Sequence, residues 1–196
     1  MALDGPYTLD DLLSMTRHKS RARAVQPPVL PRRGKGVLRL LGIDPGTLRV
    51  GWGVVEHDAA RGTLRLHDCG CIAPSPRLEL KLRLKHIFAE LEDVIRATRP
   101  DAAALEETFA GVNMKSAIAM GEGRGIALLS LARAGLRVLE LSPRSIKQSV
   151  TGSGAAGKTQ VAAMVAATLK LKKAPEPQDV TDALAAAIAL SQRLPA

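Results

Sequence analysis

The stretch Leu40-Leu41-Gly42-Ile43-Asp44-Pro45-Gly46-Thr47 places a carboxylate at the end of an apolar run and follows it with a turn. Residues 37–43 have the length and apolarity of a buried strand, and Pro45-Gly46 cannot continue a strand or a helix. A second strand is predicted at residues 49–56, whose glycines allow another backbone or a ligand to come close. The two strands form a predicted hairpin with Asp44 at its mouth. An Asp-Pro-Gly turn can also be purely structural, so this stretch alone leaves the role of Asp44 open.

Length and charge restrict the class of protein. The chain has 196 residues, 46% of them hydrophobic, which suffices for one buried core and predicts a single globular domain at residues 37–196. Residues 1–36 contain several prolines and seven basic against three acidic residues, which predicts a basic, disordered N-terminal arm. The net charge of +9 favours a polyanionic partner. Without a long apolar run or a secretory signal, we expect a cytoplasmic protein that does not contact a membrane.

The two cysteines have a spacing that superficially resembles a metal site. Cys69, Cys71 and His67 alternate onto one face of a predicted strand. Neighbours on a strand face lie roughly 6–7 Å apart, which is too far to close a tetrahedral site without further ligands. We therefore expect free thiols in a reducing compartment.

Beyond the hairpin, predicted strands and helices follow one another in an α/β pattern. Strands are predicted at residues 63–72, 102–105 and 137–141, and helices at residues 77–98, 116–134, 144–149, 158–171 and 179–194. The strand at 102–105 ends in Glu106 and follows a helix, so it is expected to lie parallel to the first strand. Carboxyl ends of neighbouring parallel strands share one edge of a sheet, so Asp44 and Glu106 are expected to converge there. Strand alternation sends Glu107 to the opposite face.

Two further acids stand at the start of the last predicted helix. Asp179 and Asp182 are three residues apart, which places both carboxylates on one helix face. Acids in a first turn also satisfy free N–H groups and the helix dipole, so a structural role is open as well. Together with Asp44 and Glu106 they would form an oxygen cage suited to Mg²⁺ or Mn²⁺. Two such ions, roughly 4 Å apart, can activate a water and stabilise the leaving oxygen of a phosphodiester, which predicts a nuclease.

A competing pattern lies later in the chain. Residues 152–159, Gly-Ser-Gly-Ala-Ala-Gly-Lys-Thr, match the phosphate-binding loop of nucleotide hydrolases and open a predicted helix. The match comes late, a helix rather than a strand precedes it, and no apolar strand ending in a magnesium-binding Asp follows. The match is therefore interpreted as coincidental, although a glycine-rich loop before a helix can still bind a nucleic-acid phosphate.

Seven segments stand in the order found in the RuvC family of Holliday junction resolvases, which the chain resembles from about residue 38 to its end. The segments are Ile43-Asp44-Pro45-Gly46, Leu105-Glu106-x-x-Phe109, Asn113-x-x-Ser116-Ala117, Gly121-x-x-Arg124-Gly125, Ile146-Lys147-Gln148, Lys158-x-Gln160-Val161 and Pro177-Gln178-Asp179-x-x-Asp182-Ala183-Leu184-Ala185. The resemblance implies an RNase H-like (retroviral integrase superfamily) fold with a mixed five-stranded sheet and helices on both faces. It also implies a homodimer that makes paired, metal-dependent nicks in four-way DNA junctions during recombination and repair, leaving 5′-phosphates.

The resemblance also implies roles for individual residues. Asp44, Glu106, Asp179 and Asp182 would hold the metal, as Mg²⁺ or Mn²⁺ and as two ions per active site. DNA would be contacted by Lys147, Lys158 and Arg144, with Lys158 also supporting catalysis, and Phe109 would stack or wedge at the junction centre. Cooperation with the RuvA and RuvB branch-migration proteins is implied as well. Glu107 departs from the pattern, because it adds a negative charge where the family tolerates neutral residues.

Three other functions remain open at this stage. A YqgF-like nuclease acting on RNA would share the sheet and the first acidic turn. A nucleotide hydrolase would use residues 152–159. A noncatalytic junction-binding module would bind four-way DNA without cutting it.

Overall fold

The structure, a computed structural model, describes residues 36–107 and 114–194, with the backbone alone for residues 114–116. The predicted arm, residues 1–36, lies outside these ranges except for its last residue, and Phe109 lies outside them too. The disorder predicted for the arm and the DNA contact predicted for Phe109 therefore stay predictions. The described strands are β1 (Val37–Asp44), β2 (Val50–Asp58), β3 (Thr63–Ile72), β4 (Ala102–Glu106) and β5 (Val138–Leu141), and the helices are α1 (Leu80–Thr98), α2 (Met114–Arg133), α3 (Pro143–Thr151), α4 (Lys158–Thr168) and α5 (Gln178–Ser191).

The five strands form one mixed sheet in the order β3-β2-β1-β4-β5. Short turns join β1, β2 and β3, which pair antiparallel, whereas β4 and β5 follow helices and pair parallel to β1 and to each other. Helices α1 and α2 contribute to the core on one face, and α3, α4 and α5 contribute to the core on the other. The predicted mixed five-stranded sheet with helices on both faces is confirmed.

Glycines in the two central strands allow α5 to lie directly on the sheet. A Cβ atom on Gly42 of β1 would overlap the carbonyl of Ala183, and one on Gly51 of β2 would overlap the carbonyl of Asp179. Eleven of the fourteen residues of α5, Val180, Thr181 and 183–191, are buried. The close approach expected at the strand glycines is therefore an approach of helix backbone, and it fixes the N-terminus of α5 beside the end of β1.

Several helix ends differ from their predicted positions by a few residues. Helix α3 begins at Pro143, because Ser142 caps it by accepting a hydrogen bond (3.2 Å) from the N–H of Ser145. Helix α4 ends at Thr168 rather than at residue 171, because the backbone turns left-handed at Lys170 (φ 56°). No helix in the described part of the chain is long and apolar enough to cross a membrane.

Candidate active site

A cavity of about 450 Å³ opens at the edge of the sheet where β1 and β4 end. Its walls hold three of the four predicted metal-binding acids and both predicted active-site lysines. These residues are Asp44, Glu106, Asp182, Lys147 and Lys158. The sequence argument that two strand ends and the last helix supply one site therefore agrees with the arrangement of these side chains.

The pairing of β1 with β4 brings the first two acids together. Ile43 pairs with Leu105 in the parallel register, so the next residues on each strand, Asp44 and Glu106, leave the sheet side by side. Neighbouring strands lie about 4.8 Å apart, which is a distance that two carboxylate side chains can close by rotation. The expected convergence of Asp44 and Glu106 is confirmed.

The two acids of α5 line different cavities. Asp182 lines the cavity just described, whereas Asp179 lines a second cavity of about 490 Å³ together with Asp44, Arg49 and Met120. The charges of Asp179 and Asp182 both raise the pKa of Asp44, and the charge of Asp179 also raises the pKa of Asp182. The three carboxylates therefore lie within electrostatic reach of one another, as their shared helix face predicts.

Mutual repulsion among these acids is visible in their proton affinities. Burial, followed by the charges of Glu106, Asp182 and Asp179, raises the pKa of Asp44 from 3.8 to about 7. Burial also raises the pKa of Glu106, with a contribution from Asp182. The pKa of Asp182 is raised as well, mainly by burial. A cation placed among these groups would relieve both the desolvation and the repulsion of the charged forms.

The two lysines of the cavity come from the helices that pack beside α5. Lys147 is on α3 and Lys158 is the first residue of α4, and both line the first cavity. The positive charge of Lys158 lowers the pKa of Asp44, Glu106 and Asp182, opposing the shifts from burial. Lys147 acts in the same way on Glu106 and Asp182. One side of the cavity is therefore acidic and the other basic, as a site that holds both a cation and a phosphate requires.

Comparison with known proteins gives the same family that the motifs indicate. Residues 40–190 match the RuvC family model, described as crossover junction endodeoxyribonuclease RuvC. A relative of that name from Roseiflexus sp. (strain RS-1) is 47% identical over 150 residues, covering 76% of this chain and 88% of its own. The chain belongs to the RuvC family. The predicted enzyme class, a crossover junction endodeoxyribonuclease, is confirmed with it.

Solved structures of RuvC and of other resolvases share the fold. Thermus thermophilus RuvC in complex with Holliday junction substrate is 36% identical and superimposes with a TM-score of 0.72, covering 78% of this chain and 92% of that one. The yeast mitochondrial Holliday junction resolvase Ydc2 is 12% identical with a TM-score of 0.57, covering 87% and 84% of the two chains. The second likeness concerns the fold alone, and it agrees with the predicted RNase H-like class.

The acids of this RuvC-family chain are of the right kind for a hard divalent cation. All four predicted ligands supply carboxylate oxygens, and the raised pKa of Asp44 reflects a site crowded with negative charge. Among residues 36–107 and 114–194, however, no three His, Cys, Asp or Glu side chains lie close enough together to hold a metal ion as they stand. The four carboxylates are suitable ligands for such a cation, and their backbones lie close enough together. The side chains around Asp44 would have to rotate to bring their oxygens onto one ion.

Two sequence expectations about this RuvC site stay open. Glu107 also lines the first cavity, and its N–H donates to the carbonyl of Leu141 (2.8 Å), so its backbone continues the pairing of β4 with β5; the face predicted for its side chain stays a prediction. Glu107 is nevertheless absent from the causes that shift the pKa of the other acids, which agrees with the choice of Glu106. Arg144 is exposed and lies against Gly154 without lining the cavity, so its role in DNA binding stays a prediction.

The phosphate-loop alternative loses its physical basis in the structure. A loop of that type binds phosphate through free backbone N–H groups. Here the N–H groups of all five residues from 153 to 157 are bonded, and their acceptors belong to Thr151, Ser153 and the neighbouring glutamines Gln148 and Gln160. The sequence match to the phosphate-binding loop therefore falls on a loop whose N–H groups already bond within the protein, and its interpretation as a coincidence stands.

The cysteines and Arg124 complete the comparison with the sequence. Cys69 and Cys71 are free and partly buried on the edge strand β3, as expected.

Arg124 of α2 donates a hydrogen bond (3.1 Å) to the carbonyl of Glu106 and forms an ion pair with Glu140. The sequence motif contains Arg124 but does not indicate this role. The one hint in the sequence is a single basic residue between two glycines of a helix.

Proposed function

We propose that this RuvC-family chain nicks opposed strands of a four-way DNA junction, with Asp44, Glu106, Asp179 and Asp182 as the metal-holding acids. The observation that carries the proposal is the cavity in which three of these acids face Lys147 and Lys158. A phosphodiester entering that cavity would have its charge balanced by the lysines while its phosphorus lies beside the carboxylates. The substrate follows from the family and from the net charge of +9.

The proposed cofactor is Mg²⁺ or Mn²⁺, bound as two ions. Held between the acids, such ions would activate the attacking water and stabilise the leaving oxygen. The carboxylates supply only hard oxygen ligands, which suits these cations better than zinc or copper. Asp44 must lose its proton before it can bind a cation, and its pKa of about 7 makes this loss incomplete at neutral pH. At metal concentrations below saturation, nicking is therefore expected to increase with pH near neutrality, and the increase should shift to lower pH as the metal concentration rises.

Lys158 and Lys147 have the proposed task of holding the scissile phosphate. The charge of Lys158 lowers the pKa of three of the acids, whereas the charge of Lys147 lowers the pKa of Glu106 and Asp182. Both contacts would release counterions on binding, so junction affinity should fall steeply with salt. Phe109 and Arg144 are proposed as further DNA contacts from the family motif alone.

The decisive experiment replaces Asp44 with Asn and measures nicking of a synthetic four-way junction. We expect at least a thousandfold loss of the single-turnover nicking rate, because the amide oxygen is a weak ligand, while junction affinity in EDTA changes less than about threefold. Asp93→Asn, on the exposed side of α1, is the matched control and should nick normally. Full activity of the Asp44 variant would refute the assignment of the site.

Metal and substrate are tested by the same assay. Nicking should be absent in EDTA and return on titration with Mg²⁺ or Mn²⁺; junction binding that is never followed by nicking at any metal concentration would identify a noncatalytic binding module. Replacing the junction by structured RNA separates DNA resolution from the YqgF-like alternative. Faster cleavage of the RNA would favour that alternative.

A homodimer is proposed through helix α2, because two opposed nicks require two active sites. Ile118, Gly121, Gly125 and Leu129 fall at spacings of three and four residues, so they form one exposed stripe on α2. Ile118 is 57% and Leu129 50% exposed, and a Cβ atom on either glycine would meet no atom within 4 Å. A second copy of the helix could therefore pack closely along this stripe.

Sedimentation equilibrium tests the dimer. Leu129→Glu should produce a monomer, because it places a charge in the proposed interface without disturbing the fold of a single chain. Met164→Glu is the matched control, since Met164 is a comparably exposed apolar residue (41%) on α4. A dimeric Leu129 variant would exclude the α2 stripe. Cooperation with RuvA and RuvB and a cytoplasmic location are proposed on family membership alone.

A further inference from the structure

The loop between the two lysine-bearing helices is bonded at two points by the side chain of Gln148. Gln148 of α3 donates from Nε2 to the carbonyl of Gly152 (2.7 Å) and accepts at Oε1 from the N–H of Gly154 (2.9 Å). Both the nitrogen and the oxygen of the Gln148 side-chain amide therefore bond to the loop of residues 152–157, which leads from α3 to α4. Thr151 adds a bond from the N–H of Ser153, and Gln160 accepts from the N–H of Gly157 (2.8 Å).

This loop would have considerable freedom without those bonds. It contains three glycines, and Ala156 is its only buried residue. Gly152 has a left-handed backbone (φ 78°), which a glycine adopts easily and also leaves easily. Ordering such a segment costs about 1 kcal/mol or more per residue, so each bond to its backbone restricts where α4 begins.

The first residue of α4 is Lys158, and the residue before Gln148 is Lys147. The two lysines line the same cavity from opposite ends of the loop. Their separation therefore depends on the conformation of residues 152–157, which Gln148 spans, as well as on the packing of α3 and α4 beside α5. Gln148 itself is exposed and does not line the cavity, so it would act on the site only through the loop.

We propose that Gln148 is a positioning residue that holds Lys158 in place over the carboxylates. The proposal rests on the proposed function, because it assigns the effect of Gln148 to the phosphate-holding lysine. Removing the amide would leave the acids untouched and let the start of α4 move. The bound phosphate would then lose an aligned positive charge, and nicking would slow without loss of the fold.

A double-mutant cycle separates this role from a general contribution to stability. The variants are Gln148→Ala, Lys158→Ala and the combination, each measured for single-turnover nicking and for junction affinity in EDTA. We expect Gln148→Ala to slow nicking about tenfold and to change it less than twofold when Lys158 is already absent, because residues that act through one another are not additive. Exchange of the Gly154 amide with deuterium should also accelerate in Gln148→Ala.

Gln192→Ala is the matched control. Gln192 donates to the carbonyl of Ser149 (2.9 Å), so it is a second glutamine whose side chain bonds to α3. It should nick like the parent protein. If Gln148→Ala does not fold, Gln148→Met replaces it in the cycle, since it keeps the length of the side chain without a charge and loses both bonds to the loop.

The outcomes are distinct. A Gln148 variant that nicks at the parent rate, or one whose tenfold loss persists unchanged in the Lys158→Ala background, would overturn the positioning role. A parent protein that does not nick junctions, or a Lys158→Ala variant that nicks normally, would overturn the proposed function and with it this inference.

Discussion

Helix α5 meets the sheet backbone to backbone, whereas α3 and α4 are joined through a loop held by side chains. The acids Asp179 and Asp182 belong to the first region, where Gly42 and Gly51 leave no room for an added atom. Lys147 and Lys158 belong to the second, where amide and hydroxyl side chains hold the loop. The positions of the acids therefore depend on close backbone packing, whereas the positions of the lysines depend on several separate hydrogen bonds that can be removed one at a time.

The largest effect on stability is expected at Gly51. A methyl group there would overlap the carbonyl of Asp179, so Gly51→Ala should lower the free energy of unfolding by about 3 kcal/mol and displace the acids of α5. Gly70→Ala on β3 is the matched control. Its Cβ would come within 2.8 Å of the ring of Trp52, a half-buried side chain that can shift, so the cost should be about 1 kcal/mol. Equal costs in urea denaturation would contradict the contrast between backbone and side-chain packing.

A second test concerns Arg124, which fastens the end of β4 by a side chain. Arg124→Met removes the bond to the carbonyl of Glu106 and the ion pair with Glu140, and should cost about 2 kcal/mol of unfolding free energy. Nicking should slow about tenfold because Glu106 loses its tether. Glu140→Gln keeps the carbonyl bond, so its nicking rate should stay within about twofold of the parent. Matching losses in the two variants would mean that the ion pair, not the carbonyl bond, matters.

The charge of the packed region gives a third test. The pKa of Asp44 is raised from 3.8 to about 7, so the folded chain holds this proton more tightly than the unfolded chain. In the metal-free protein, the contribution of Asp44 to the free energy of unfolding therefore falls as the pH rises from about 4 to 7. Above pH 7 this contribution stays constant. Asp44→Asn removes this loss and should be about 1–2 kcal/mol more stable than the parent at pH 8, with little difference at pH 4. Urea denaturation in EDTA measures both, and a gain that does not depend on pH would contradict the raised pKa.

The sequence was informative where one periodic rule governs the position. Strand length and the helix between β1 and β4 were enough to predict that Asp44 and Glu106 meet, because parallel neighbours share an edge. Strand glycines predicted a close approach, but not that the alanine-rich α5 is what approaches. The three-residue spacing of Asp179 and Asp182 gave a shared face, yet which cavity each of them lines depends on how the helix lies across the sheet.

Side-chain bonds to a loop are the part that sequence reasoning missed. The letters of residues 152–159 match a phosphate-binding loop, and nothing in their spacing indicates that Gln148 and Gln160 occupy the backbone donors. Similarly, Gly123 of α2 lies against the backbone of Gly46, and no spacing in the sequence indicates that contact. Such contacts depend on tertiary placement and therefore leave no periodic signal.

The smallest effect is expected at Gln160, where the lysine-bearing region should tolerate a lost contact. Its side chain accepts from the N–H of Gly157, the residue that precedes α4, so Gln160→Ala should cost about 0.5–1 kcal/mol and slow nicking less than threefold. Thr159→Ala at the adjacent exposed position is the control. Because Gln148 still bonds Gly152 and Gly154 in this variant, Lys158 should remain near the carboxylates. A loss of nicking as large as that of Gly51→Ala would mean that the loop is as intolerant as the sheet, and the contrast between the two regions would fail.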